Sequence, residues 1–342
     1  MAEKVIGAAE LTRLLQASAE KGLLVAPVAE EGIVTYRRVG SAEEVSLDFG
    51  LATVPPKEHF LPQTEELYRY DRTSGRAVVT PPLPPAPAVL FGVRPCDVRG
   101  VLALDPVFEG RFGDAYWRQK REATTIVALS CTQVRPECFC AAFGGGPTDG
   151  MGADLLLTAV GDGYYAEVLS DKGRALAEEY AALFREDGLE EARKGKEALA
   201  ARLGAELASR VDPGGVYEKL GGMFSHPYWE ALARKCLGCG ICTFLCPTCH
   251  CFDIVDEPGA PGTGKRLRCW DSCMFTEFTL HTSGHNPRPG KKERVRNRFM
   301  HKLRYHRDRY GLDGCVGCGR CVAKCPVNLD IRWVITDVKE VR

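Results

Sequence analysis

Long apolar runs are missing from this chain of 342 residues. Nowhere do about eighteen apolar residues follow one another, so no membrane span is expected. The opening stretch, MAEKVIGAAELTRLL, lacks the apolar core of an export signal and reads as an amphipathic helix. Net charge is missing too, because 45 lysines and arginines offset 45 aspartates and glutamates. A neutral chain does not advertise a nucleic-acid or membrane-surface partner. Nucleotide fingerprints are also lacking. GAPGTGKR (259–266) mimics a phosphate loop but places Arg266 where a magnesium-binding hydroxyl is needed, and no apolar strand precedes it. FGGGPTDGMG (143–152) has glycines without a strand–turn–helix setting, so no FAD or NAD site is expected in this chain. No nucleophile–base constellation stands out, and His250, His281, His285, His301 and His306 read as surface or hydrogen-bonding residues.

What is plentiful is cysteine, with sixteen. Without an export signal, that number points to reduced thiols and metal ligation in the cytoplasm, not to disulfides. A low-oxygen cell is the natural setting for such ligands.

The first half alternates strand and helix patterns. GLLVAPV (22–28), GIVTYRRV (32–39), AVLFGV (88–93) and TTIVALS (124–130) read as strands. LLLTAVGDGYYAEVL (155–169) reads as a hairpin around Gly161, Asp162 and Gly163. TPPLPPAPA (80–88) is a connector, and Asp97 is placed to cap a helix over 98–108. An α/β N-terminal domain is expected over 1–170. Residues 171–234, rich in Ala, Leu, Glu, Lys and Arg, predict two or three helices of a helical connector. Residues 235–342 hold twelve of the sixteen cysteines and predict a ferredoxin-like dicluster (α+β) domain.

Two runs in that last region share one spacing. Cys236, Cys239 and Cys242 are followed by Cys246-Pro247, and Cys315, Cys318 and Cys321 by Cys325-Pro326. In such runs three cysteines wrap one cube while the fourth reaches to the other. One [4Fe–4S] cluster is therefore assigned to Cys236, Cys239, Cys242 and Cys325, and a second to Cys315, Cys318, Cys321 and Cys246. Gly238, Gly240, Gly317 and Gly319 let backbone N–H groups approach the sulfides. Zinc knuckles need neither the third cysteine nor the proline, twice over. Roughly 70 residues separate the runs, so a long insertion (about 252–312) must leave and return to one core.

Two further quartets stay open between a third cluster or metal site and buried structural thiols. One is Cys249, Cys251, Cys269 and Cys273, the last two sharing one face if their stretch is helical. The other is Cys96, Cys131, Cys138 and Cys140, of which the first two follow buried strands and so reach one sheet edge. The basic run RPGKKERVRNRFMHKLRYHRDRY (288–310) reads as a subunit-docking face or a stabiliser of reduced, negatively charged centres, rather than a nucleic-acid site.

LFGVRPCDVRGVLALDPVF, CFC, GADLLLT, CPTCHCFDI, WDSCMF, GHNPRP, RFMHK and CVGCGRCVAKCPV together resemble the beta subunits of archaeal and bacterial sulfhydrogenases. That family is similar to an iron–sulfur subunit of anaerobic sulfite reductase and to iron–sulfur subunits of flavin oxidoreductases linked to heterodisulfide reductases. The resemblance covers roughly residues 85–335. It implies an electron-transfer subunit, without substrate catalysis of its own, between an NAD(P)H-oxidising FAD flavoprotein subunit and a catalytic partner. That partner would be a nickel–iron hydrogenase or a sirohaem reductase. It implies two clusters and explains neither extra quartet. Two readings of other classes remain: a catalytic subunit using the N-terminal cysteines, and a zinc or nucleic-acid-binding protein.

Overall fold

The computed structural model describes residues 2–208 and 210–341. Eleven strands are found among them: β1 (Ala2–Gly7), β2 (Leu24–Glu30), β3 (Ile33–Arg38), β4 (Thr64–Asp71), β5 (Val78–Thr80), β6 (Ala88–Val93), β7 (Thr124–Leu129), β8 (Leu155–Val160), β9 (Gly163–Val168), β10 (Phe252–Pro258) and β11 (Thr263–Trp270). Nine of them precede residue 170, which makes the N-terminal region α/β. Seven form one sheet in the order β1-β9-β8-β7-β6-β2-β3, with β2, β6, β7 and β8 parallel.

The parallel centre of this sheet is buried on both faces, which is why β6 and β7 read as unbroken apolar runs. Val89, Phe91, Val127 and Leu129 face one core, built with Leu11, Leu14 and Leu15 of the helix Ala8–Glu20. Their neighbours Leu90, Ile126 and Ala128 face the other, with Val98, Val101 and Leu104 of the helix Pro95–Phe108 and with Trp117. A bulge at Gly92 (φ +76°) bends the end of β6, and its Cα lies so close that an added Cβ would meet the Pro27 ring at 3.1 Å.

Two sequence expectations need correction. The first residues form a strand and not a helix, because Val5 and Ile6 are buried while pairing with β9. The helix after β6 starts at Pro95 with Arg94 as its uncapped N-cap, so Asp97 lies within the first turn and is committed elsewhere. Residues 171–234 carry the α-helices Asp171–Glu179, Leu189–Leu207, Val216–Leu220 and Tyr228–Ala233, the first two of them in the Ala-, Leu- and Glu-rich stretch 172–211 from which two or three helices are expected.

The second sheet, β10-β11-β4-β5, takes two strands from the first quarter of the chain and two from the insertion. GAPGTGKR is the turn and opening of the β10–β11 hairpin, not a phosphate loop. Buried Arg268 on β11 pairs with Glu65 on β4 and with Asp114, so a hydrogen-bonded charge cluster fixes the insertion to the N-terminal region. The insertion then enters the helix Lys291–Met300, a single π-helical segment His301–Tyr305, and the helix His306–Tyr310. A third core, with Trp229, Val295, Phe299, Ile331 and Val334, holds these helices against the cysteine loops.

Candidate metal centre

The two cysteine runs fold into matching loops. In each, two glycines sit at positive φ, Gly238 (+74°) and Gly240 (+76°) in the first, Gly317 (+64°) and Gly319 (+81°) in the second. One short helix follows each loop, Ile241–Phe244 and Arg320–Ala323, and the two helices pack together. The αL residues turn the chain tightly enough to bring cysteines three apart to one side, a conformation that L side chains resist. The Gly238 N–H already points at Cys236 Sγ (3.3 Å).

Cys236, Cys239, Cys242 and Cys325 line one cavity, together with Met274, Arg298, Val327 and Leu329. The Leu329 N–H donates to Cys325 Sγ at 3.2 Å. Cys239 is exposed and its neighbour Leu237 is 65% exposed, so this cavity lies at the surface. The other four cysteines sit deeper. Burial, then the charges of Cys321, Cys246 and Cys318, push the Cys315 thiol well up. Burial also lifts Cys318 to about 11 and Cys321 to about 12, with Cys246 among the thiols acting on both. The charge of Cys246 thus reaches the distant run as well as Cys242 of its own run. The Cys246 Sγ lies 3.1 Å from Thr248 Oγ1, which donates to the Gly314 carbonyl at 2.6 Å.

The set of cations around these thiols is unusual for a folded core. Lys57, Arg298 and Lys302 are buried within reach of these thiols, Arg294 is buried one turn before Arg298, and none of the four has a carboxylate partner among the described residues. Arg294, Arg298, Lys302 and buried His306 follow one another at intervals of four, forming a single stripe along the basic run. Burial alone lowers the pKa of Arg298 and Lys302, but the surrounding cysteines reverse this and hold both above their ordinary values. Cys242 and Cys321 act most on Arg298, and Cys246 and Cys249 on Lys302. Lys302 Nζ donates to Thr248 Oγ1 at 2.7 Å, and Lys57 Nζ donates to the Cys249 carbonyl at 3.0 Å. A buried cation without a counter-charge costs several kcal/mol, roughly, so an anionic group is needed among these residues. Thiolate-ligated iron–sulfur clusters are anionic, and the donor chemistry fits them.

The quartet Cys249, Cys251, Cys269 and Cys273 does not gather as one set. Its stretch 269–273 is not helical: Cys269 belongs to β11 and Cys273 to the turn after it. Cys249 hydrogen-bonds Cys246, which lowers the Cys246 pKa and raises its own. Cys251 pairs instead with Cys273, which holds Cys251 down at about 7 and raises Cys273. Among the described residues, no three His, Cys, Asp or Glu side chains converge on a point where a single metal ion would sit. Sequence reasoning missed Lys57, for which no signal exists. It read the basic run as one cationic face, although the spacing of Arg294, Arg298 and Lys302 already marked one stripe.

Comparison with known proteins agrees with this chemistry. Residues 235–329 match the family model described as a 4Fe-4S dicluster domain. Sulfhydrogenase 2 subunit beta of Pyrococcus furiosus is 33% identical over 325 residues, covering 94% of this chain and 93% of that protein. No solved structure matches.

Proposed function

Because this chain belongs to the family of sulfhydrogenase beta subunits, we propose that it relays single electrons between a flavoprotein subunit and a hydrogenase-type catalytic partner. The flavoprotein would take electrons from NAD(P)H at FAD, which agrees with the lack of a nucleotide fingerprint here. When bound, two [4Fe–4S] clusters supply one-electron carriers. The protein's part is to hold, insulate and tune them. Cys236, Cys239, Cys242 and Cys325 would hold the first, and Cys315, Cys318, Cys321 and Cys246 the second. The two sets interlock through Cys246 and Cys325, which keeps the centres adjacent. Exposed Cys239 and Leu237 make the first site the port facing a partner, while the second is sheltered. Arg298, within reach of Cys242 and Cys321, places a positive charge between them and favours the reduced forms. In this reading residues 1–170 are the scaffold, 171–234 the connector and 235–342 the relay.

The observation that carries this reading is the pair of buried cations, Arg298 and Lys302, beside the thiols with no carboxylate partner among the described residues. Its test is iron, acid-labile sulfide and reduced-state EPR of anaerobically purified protein. Cys242→Ser and Cys318→Ser should each remove about four irons per chain and one spectral component. Zinc in place of iron, without acid-labile sulfide, would overturn it.

A further inference from the structure

We propose that Cys96, Cys131, Cys138 and Cys140 hold a third [4Fe–4S] cluster, at the carboxyl edge of the seven-stranded sheet and beside the loop that carries Cys315 and Cys318. This inference rests on the two-cluster reading above and extends its relay into the N-terminal region.

The topology brings the four residues together. β6 and β7 are parallel neighbours with Val93 opposite Ala128, so Cys96 and Cys131 leave adjacent strands at the same edge. Carboxyl edges of parallel strands are where α/β sheets place ligands. The segment after β7 is folded back on itself: the Cys131 N–H donates to the Pro147 carbonyl at 2.8 Å and the Gly145 N–H to the Cys140 carbonyl at 3.1 Å. The loop between them carries Cys138 and Cys140. The charge of Cys138 acts on Cys131, those of Cys131 and Cys138 on Cys140, and that of Cys131 on Cys96. Cys131, Cys138 and Cys140 are therefore neighbours of one another, and Cys96 joins them through Cys131.

The same loop rests on the second ferredoxin-type run. The Phe139 N–H donates to the Gly317 carbonyl at 2.9 Å. A Cβ on Gly317 would fall 2.4 Å from the Phe139 carbonyl oxygen, and one on Gly319 2.6 Å from that of Glu137. Two backbones approach this closely only because both positions are glycine. Cys96 also lies within the electrostatic reach of Cys318. A group held by the quartet would thus be next in line to the second cluster.

The charge balance points to an anion. Arg94 is 3% exposed, and its guanidinium donates only to carbonyls, at 2.7 Å to Ser130 and 3.2 Å to Leu129, and to Phe49. It also lies 4.3 Å over the Phe49 ring; among the described residues it has no carboxylate partner and its Nε has no hydrogen-bond partner. The nearby Asp97 is taken by Arg320. As with Arg298 and Lys302 at the other two sites, a buried cation stands beside thiols with no carboxylate partner of its own among the described residues. Ligation would release four protons and leave four thiolates around a body with which Arg94 can pair.

The test is the iron and sulfide count of the anaerobically purified full chain, beside Cys138→Ser/Cys140→Ser and Cys318→Ser. The wild type should hold about twelve irons per chain, and the double variant about eight with both ferredoxin-type EPR components retained. A wild-type count near eight that the double variant leaves unchanged overturns the proposal and leaves the two-cluster reading standing. A loss of about four irons in the double variant, with none in Cys318→Ser, supports this site and overturns that reading instead. Because the wild-type count decides by itself whether about twelve irons are present, misfolding of a variant does not rescue the idea.

Discussion

Asp97 and Arg320 form a bidentate ion pair, with oxygen–nitrogen distances of 2.5 and 2.8 Å, that is closed to solvent on both sides and spans 223 residues of sequence. Arg320 Nε also donates to the Ala52 carbonyl at 2.8 Å. The pair joins the sheet edge to the residue between Cys318 and Cys321. Asp97→Asn would leave a guanidinium buried without compensation, a change that costs about 3–5 kcal/mol. Denaturant unfolding of the anaerobic protein measures it. Asp97→Leu/Arg320→Leu should recover most of the loss, and a cost below about 1 kcal/mol for the single variant would refute the assignment.

Gly317 and Gly319 permit the closest backbone contact between the two ends of the chain. An alanine at either place must adopt φ near +64° or +81° and push Phe139 or Glu137 away. The strain alone is of order 1–3 kcal/mol. Gly319→Ala should lower the unfolding midpoint and expose the loop 131–147 to limited proteolysis. Gly284→Ala, also at positive φ but with open space around it, should lower the midpoint while leaving that loop protected. Equal protection in both variants would show that the contact does not hold the loop.

Much of this architecture is legible in the sequence. β6 and β7 stand out because strands buried on both faces are apolar throughout, and the cysteine spacing alone defines the loops. Pairing of β10–β11 with β4–β5 is not legible, since no local pattern tells a hairpin which distant edge it will extend. Asp97 illustrates the same limit. It looks like a helix cap from its neighbours in sequence, and only its partner 223 residues away shows that it is an ion-pair residue. Val5 and Ile6 pass for helix because a single strand beside a helix offers too few residues to establish a period.

Lys302 offers a measurement of how the protein tunes its carriers. Its ammonium is buried, donates to Thr248 Oγ1 and acts most strongly on Cys246 and Cys249. A positive charge there favours the reduced, more negative form of whatever Cys246 holds, so removing it lowers the potential. A unit charge several ångströms away, at an effective dielectric near 20, contributes roughly 1–3 kcal/mol. With about 2.3 kcal/mol per 100 mV, Lys302→Met should shift one of the potentials down by several tens of millivolts. EPR-monitored redox titration reads the shift. No change, or a rise, would show that Lys302 has another role.

Acid sensitivity follows from a row of buried imidazoles. His250 and His301 stack edge-to-face at 5.3 Å, and His301 lies 5.9 Å from His306, with ring centroids as the reference points. Burial first, then the Lys302 charge, lowers His250 to about 4 and His301 to about 2. Both lie below the unfolded value of about 6.5, so both stay neutral in the folded chain while the unfolded chain takes up protons. Their contribution is therefore complete above pH 6.5 and is lost as pH falls below it, down to about 4 for His250 and further for His301. Each site costs about 1.4 kcal/mol per pH unit in that window, so the pair should steepen the loss to roughly 2–3 kcal/mol per unit between pH 6 and 5. Denaturant midpoints at a series of pH values measure the slope. His59 and His306 are lowered by burial as well, so His301→Gln, which removes one titrating site, should reduce the slope by about 1 kcal/mol per unit, whereas an unchanged slope would place the acid sensitivity elsewhere.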